Sequence, residues 1–307
     1  MKVTTLPEAV ASIPDGGHLA LGGFAIARNP IAFVHELIRQ GKKDLTISQP
    51  IAGMDTDLLV ATGAVRRLLY GGGSLDRFGP SWNVNRAIER GGVEVQEYSG
   101  LAITFRFLAG SLGIPYLPAQ TMLGSEILER LCQSHPDQVL MGTCPFSGSR
   151  VMLLRALQPD VAVVVAQLAD PDGNSWVFGP RWDEQQVLAS ERVIVLAEEL
   201  VSPEWTEQHV DTVVIPGFRV SAVVPIPFAA HPTSVYRCYD YDAQHLKLYA
   251  EYARRGETRR YLDEYVLGCD HWGYLERVGG LKRMAALRAD RALGYAGGEN
   301  GGTVLEG

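Results

Sequence analysis

His18-Leu19-Ala20-Leu21-Gly22-Gly23-Phe24, closed by Asn29-Pro30 and a patterned run to about Gln40, is the stretch that decides the fold. A short apolar segment followed by paired glycines reads as a strand ending in a turn. Asn29 is placed to cap a helix, and Pro30 suits the first helical position, where a missing N–H costs nothing. Ile31, Val34, Leu37 and Ile38 then recur at helical spacing. Upstream, Thr5 to Ile13 reads as an amphipathic helix with Thr5 as N-cap, stopped by Pro14-Asp15-Gly16-Gly17.

The same unit recurs outward from this point. Leu45–Ile47, running to Gln49-Pro50, predicts a strand and Asp55–Thr62 a helix. Val65–Tyr70 predicts a strand entering Gly71-Gly72-Gly73-Ser74, with a helix over Asn83–Arg90. Val93–Glu97 and Leu101–Leu112 repeat the pair, stopped by Gly113-Ile114-Pro115. Alternating strands and helices of this length imply the α/β class, with an open, mainly parallel sheet and flanking helices. Val161–Leu168 is apolar throughout, as a strand buried on both faces must be. Asp170-Pro171-Asp172-Gly173-Asn174 predicts a tight turn into a hairpin partner over Ser175–Phe178. Ser190–Ala197 and Asp211–Val214 add strand-like runs. Residues from about 245 to 296 predict a helical docking arm on a single domain spanning 1–296, and 297–307 a flexible tail.

Composition bounds the function. The 307 residues carry 28 Lys+Arg against 35 Asp+Glu, a net charge of −7, with 46% hydrophobic and 21% charged residues. Mean hydropathy is +0.00 and the pI about 5.5. With no run of five like charges, this balance argues against nucleic acid and anionic membranes as partners. No apolar stretch is long enough to span a bilayer, and Met1-Lys2-Val3-Thr4-Thr5 has no signal-peptide core. Cys132, Cys144, Cys238 and Cys269 are too sparse for a disulfide framework, which points to a reduced, cytoplasmic protein. Cys132 and His135 have the spacing of half a zinc site, but no second pair completes it, so no metal is expected. The 33 glycines and 17 prolines instead indicate many short loops.

Two of those loops, Gly22-Gly23-Phe24 and Gly71-Gly72-Gly73-Ser74, fall at carboxyl ends of predicted strands, where open α/β sheets bind ligands. Amides without a flanking Cβ favour an anion or a developing oxyanion, although tight turns alone also call for glycine. Dinucleotide binding fails: the loop continues Ala25-Ile26-Ala27 and the next strand ends at Ser48-Gln49 without an acid. No Gly-Lys-Ser or Gly-Lys-Thr loop is present either. His231-Pro232 reads as a structural loop histidine or a pocket residue. Tyr236, Tyr239 and Tyr241 with Asp240 and Asp242 line either a pocket or a subunit contact.

Asp15 through Phe24, closing at Pro30, resembles the N-terminal signature of the family I coenzyme A transferases, α-subunit type. Arg28, Tyr98-Ser99, Gly113 to Pro118, Pro159-Asp160-Val161, Asp172-Gly173-Asn174, Ala230 to Tyr236 and Tyr239 to Asp242 resemble the glutaconate CoA-transferase branch. The likeness runs from about residue 3 to 275. It implies a heteromer, α2β2 or larger, with a similarly folded β subunit that supplies a nucleophilic glutamate. That carboxylate would attack an acyl-CoA and carry CoA as a glutamyl thioester to a carboxylic acid. Coenzyme A is then part of the substrate, and no permanently bound cofactor is implied.

By position, the resemblance makes Ser74 the supporting catalytic side chain. Gly22, Gly23, Phe24, Arg28, Ser99, Gly100 and His231 become the substrate-binding set, with Arg28 available to a distal carboxylate. Gly100 stands where transferases often carry Gln and related ring-cleaving hydrolases Glu, so a Glu-based hydrolysis in this chain is not expected. Glu299-Asn300-Gly301 is similar to the β-subunit nucleophile motif but lacks the preceding Ser, and chance accounts for it. Two alternatives remain: an acyl-CoA decarboxylase or C–C hydrolase subunit on the same scaffold, and a noncatalytic acyl-CoA-binding subunit.

Overall fold

The described residues, 2–296 of the computed structural model, begin with α1 (Leu6–Ala11). The stretch 297–307, with Glu299-Asn300-Gly301 in it, lies outside them. The capping box of α1 is built on the predicted cap: Thr5 Oγ1 accepts from Glu8 N, and the Glu8 carboxylate accepts from Thr5 N at 3.0 Å. Then β1 (His18–Leu21), α2 (Ile31–Arg39), β2 (Leu45–Gln49) and α3 (Met54–Ala61) alternate. They are followed by β3 (Val65–Tyr70), α4 (Trp82–Glu89), β4 (Glu94–Glu97) and α5 (Gly100–Ser111). One cap differs from expectation. Pro30, not Asn29, is the N-cap of α2, and no side chain caps it. The Asn29 N–H is instead drawn to Thr233 Oγ1 at 3.2 Å, which holds that residue outside the helix.

A small antiparallel sheet, which the sequence pattern does not predict, comes next. β5 (Tyr116–Ala119), α6 (Glu126–Ser134), β6 (Val139–Thr143) and β7 (Arg150–Arg155) form it in the order β5-β7-β6. The main sheet resumes with β8 (Val161–Ala169) and β9 (Ser175–Trp176), an antiparallel hairpin. Its turn is tied by Asp170 Oδ1, which accepts from the N–H groups of Asp172 and Asn174. α7 (Glu184–Ala189), β10 (Arg192–Leu200), α8 (Pro203–Gln208) and β11 (Ala222–Pro225) complete it. Asp211–Val214 is not a strand. Val210–Thr212 is a single 3-10 turn, pinned where Trp176 Nε1 donates to Thr212 Oγ1.

The eight-stranded sheet runs β11-β10-β8-β1-β2-β3-β4, parallel throughout except for β9 on β8. Strand parity sorts its two buried faces. Val161, Val163 and Val165 of β8 join Leu19 and Leu21 in one core, while Ala162, Val164 and Ala166 join Ala20 in the other. The second core is closed by α5, α7 and the small sheet. The first is closed by α2 and α3 together with α9 (Ala243–Arg255), α10 (Thr258–Tyr265), α11 (His271–Arg277) and α12 (Gly280–Leu287). The C-terminal segment is helical, as expected, and its Leu246, Tyr249, Tyr261 and Tyr274 are buried in that core. Asp57 fastens it: the carboxylate accepts from Tyr249 Oη at 2.6 Å and from the Asn83 and Val84 N–H groups at the start of α4. Among the described residues no helix is long and apolar enough to cross a membrane, and no group of His, Cys, Asp or Glu could hold a metal ion.

Candidate active site

Parallel strands place all their carboxyl ends on one rim, and the strand order reverses direction at β1, between β8 and β2. Crevices at such switch points are where open α/β sheets take their ligands. The loop after β1 is held there by backbone bonds. Gly22 N donates to Val163 O at 2.8 Å and Gly22 O accepts from Gln49 Nε2 at 3.1 Å. Gly23 has φ +87°, and a Cβ there would stand 2.7 Å from Arg28 O, so only glycine fits. Phe24 and Ala27 exchange backbone bonds across the turn.

The neighbouring loops continue this rim. Ala25 N reaches Ile51 O, Ala52 N reaches Gly72 O, and Ser74 N reaches Ala52 O at 3.0 Å. Gly71 packs so tightly on the loop after β4 that a Cβ would lie 2.4 Å from Gly100 Cα. Gly22, Gly23, Phe24, Ser74, Ser99 and Gly100 are therefore brought together on one edge. Among the described residues the N–H groups of Gly23, Gly72 and Gly73 have no hydrogen-bond partner. They are donors in search of an acceptor. Ser74 Oγ accepts from Asp76 N at 2.8 Å, which fixes its rotamer. Ser99 Oγ caps α5 by accepting from Ala102 N, and it also meets Thr121 Oγ1 at 3.3 Å.

Two of the residues that the sequence points to are enclosed by protein partners. Arg28 is 2% exposed and its guanidinium grips Asp183 in a two-pronged ion pair of 3.0 and 3.1 Å, with further bonds to Val165 O and Pro180 O. A group so committed is a clamp under the β1 loop. His231 is 1% exposed, with its ring held between Tyr274 Oη at 2.8 Å and Asp242 Oδ2 at 3.2 Å. Its segment braces the site from behind: Ser234 O accepts from Arg28 N, and Ser234 N donates to Ile26 O. Within the tyrosine-aspartate run the roles divide: Asp242 caps α9 and pairs with Arg283, whereas Tyr239 lines a cavity.

Trp182 and Asp183, which sequence reasoning does not single out, complete the crevice. The Trp182 ring stacks on Phe24 with centroids 4.8 Å apart. No sequence signal marks them, because they lie in coil and act on residues some 155 positions away. A separate cavity of about 400 Å³ opens at the carboxyl ends of β8 and β10, lined by Gln167, Phe178, Glu198, Arg237, Tyr239 and Arg288 among others. Burial pushes the Glu198 carboxyl up to about 7, against the opposing pull of Tyr239 Oη at 2.6 Å and the Phe228 and Ala229 N–H groups. Glu198 thus holds or yields a proton near neutrality.

The fold and rim are therefore a parallel sheet whose glycine-built loops present unpartnered amides at its carboxyl edge. Residues 3–225 match the coenzyme A transferase family, and the chain belongs to it. It is 33% identical to the A-type subunit of the glutaconate CoA-transferase of Acidaminococcus fermentans, over 96% of this chain and 97% of that protein. The crystal structure of that glutaconate CoA-transferase superposes with a TM-score of 0.90, covering 96% of this chain and 98% of that one. A protein of Archaeoglobus fulgidus is 35% identical over 94% of this chain, which spans only 64% of that relative's length. The crystal structure of the decarboxylase AibA/AibB, in a variant form, matches with a TM-score of 0.76 at 34% identity, over 86% of this chain and 98% of that one.

Proposed function

We propose that this chain is the A-type subunit of a heteromeric CoA-transferase, assembled as α2β2 or larger with a B-type partner and working in the cytoplasm. The observation that carries the reading is the rim itself: free Gly23, Gly72 and Gly73 amides beside Ser74, with no activated nucleophile among them. A glutamate carboxylate of the partner attacks the acyl-CoA carbonyl and expels the CoA thiolate, leaving a mixed anhydride. The thiolate then attacks the glutamyl carbonyl, releasing the first carboxylic acid and leaving a glutamyl-CoA thioester. An acceptor carboxylate reverses the sequence and departs as the new acyl-CoA. Each addition puts negative charge on a carbonyl oxygen, and fixed backbone donors stabilise it without reorganising.

Trp182 and Phe24 wall the crevice, and the Arg28–Asp183 clamp keeps the loop in register. With Arg28 engaged, an acyl group bearing a second carboxylate would meet Arg237 or Arg288 at the cavity beside β8. Co-expression with a B-type subunit should give a complex that transfers CoA, whereas this chain alone should not. Full-rate transfer by the isolated chain defeats the reading. Glu198 favours a second reading, a decarboxylase or C–C hydrolase subunit, because a carboxyl titrating near 7 suits proton transfer. Acyl-CoA consumption without an acceptor acid, abolished by Glu198→Gln, would select it.

A further inference from the structure

At the opposite rim, where the strands begin, a larger cavity of about 670 Å³ lies between the main sheet and the small antiparallel one. His18, Arg67, Gln96, Arg106, Arg155 and Gln158 contribute to its wall, and among the described residues no Asp or Glu lines it. Arg106 is 1% exposed, yet none of the ion pairs among the described residues involves it. Its partners are neutral: Tyr98 Oη at 2.5 Å, Gln138 Oε1 at 2.5 Å and Arg155 O at 2.9 Å. They take three of the guanidinium's five N–H groups and leave two unpartnered. A buried cation with spare donors beside a cavity is an electrostatic demand that the protein does not itself meet.

The surroundings sharpen that demand. Arg67 is balanced by a fork on Glu94, but Arg155 reaches Asp137 only at 3.9 Å. Burial, with Arg106 and Arg67 adding to it against Asp160, pushes His18 down to about 4, so it is neutral at ordinary pH and leaves the arginines as the cations. Among the described residues no Phe, Tyr or Trp lines the wall, so a nucleobase finds no ring there to stack on. We propose that this cavity is a binding site for a small phosphate-bearing anion, held by Arg106 and Arg155 with amide donors from Gln96 and Gln158. Guanidinium forks match phosphate oxygens, and the volume exceeds what a single carboxylate would fill. The site stands at the far end of β1 from the glycine rim, and so binds an effector instead of the transferred acyl group.

Calorimetric titration of the full chain with pyrophosphate at low ionic strength tests this, with citrate as the carboxylate arm. The expected dissociation constant is tighter than about 1 mM, weakened at least about tenfold in Arg155→Ala and in Arg106→Leu. Arg66→Ala, which removes the exposed charge next to Arg67 in sequence but outside the cavity wall, should leave binding unchanged. Absence of binding up to about 10 mM pyrophosphate, equal weakening by Arg66→Ala, or tighter binding of citrate each overturns the proposal. Where Arg106→Leu does not fold, Arg155→Ala carries the test, because that side chain is largely exposed.

Discussion

The two rims of the sheet each bury an arginine, and the arginines are treated in opposite ways. At the carboxyl rim Arg28 meets the Asp183 carboxylate at 3.0 Å, and the pair is sealed from solvent. At the amino rim Arg106 meets only a phenol, an amide and a carbonyl. The difference teaches that a buried charge with its counter-ion is a clamp, whereas one without it is an unmet demand for negative charge. The carboxyl rim is built from backbone, with glycines exposing amides, and its buried Arg28 is neutralised by Asp183. The amino rim is built from side chains and keeps its positive charge.

The largest expected effect breaks the clamp. Asp183→Ala leaves Arg28 buried and unpaired, and should cost about 3–5 kcal/mol in urea unfolding. A cost under about 1 kcal/mol would place Arg28 in the same category as Arg106. Next, Gly71→Ala forces a Cβ against Gly100 Cα and Pro50 O, and should destabilise by about 1–3 kcal/mol. It should also disturb turnover, because it separates the loops after β3 and β4; wild-type stability would show that the rim is looser than its distances.

Buried imidazoles extend the comparison to pH. Burial holds His35 well below the ordinary range, lowers His231, and pushes His245 to about 3 and His271 to about 4. Their unfolded value is about 6.5, so below that pH the unfolded chain binds protons that the fold refuses. Each histidine then removes up to about 1.4 kcal/mol per pH unit as pH falls from about 6.5 toward the folded values. Glu198, raised to about 7, works the other way by taking a proton in the fold first. The histidines outnumber it, so the urea midpoint should drop as pH falls from about 6.5 to about 5, and a rising midpoint would contradict the assignment.

Much of this carboxyl rim is legible in the sequence, and the reasons are local. Gly22-Gly23 and Gly71-Gly72-Gly73-Ser74 announce turns after apolar strands, and β8 announces burial because both its parities are apolar. The small sheet is not legible. Pro118 interrupts β5, and β6 exposes Leu140 and Met141, so neither shows a clean alternation. The motifs around Arg28 and His231 point to a pocket, but their partners, Asp183 and Tyr274, lie far along the chain. Only the tertiary fold shows that both are already engaged. The C-terminal helices are readable as helices, while their burial in the core with α2 and α3 rests on contacts between distant segments, such as Tyr249 with Asp57.

Two smaller effects sharpen the contrast. Arg106→Leu should shift stability by only about 1 kcal/mol in either direction, because relief of a desolvated charge is offset by a Tyr98 hydroxyl and a Gln138 amide left without their donor. A loss as large as that of Asp183→Ala would mean that Arg106 is a clamp too. Ser74→Ala removes an acceptor for a single partly exposed N–H and should cost about 1 kcal/mol or less. Its turnover in complex with the B-type partner should nevertheless fall; unchanged kinetics would remove Ser74 from the site.

The central claim is that this chain supplies the cradle and its partner the nucleophile. Mass spectrometry of the assembled complex after brief exposure to acyl-CoA and borohydride tests it most directly. The account predicts that one glutamate of the partner is reduced to its alcohol, with no such reduction in this chain. A reduced glutamate in this chain, Glu198 included, would contradict it.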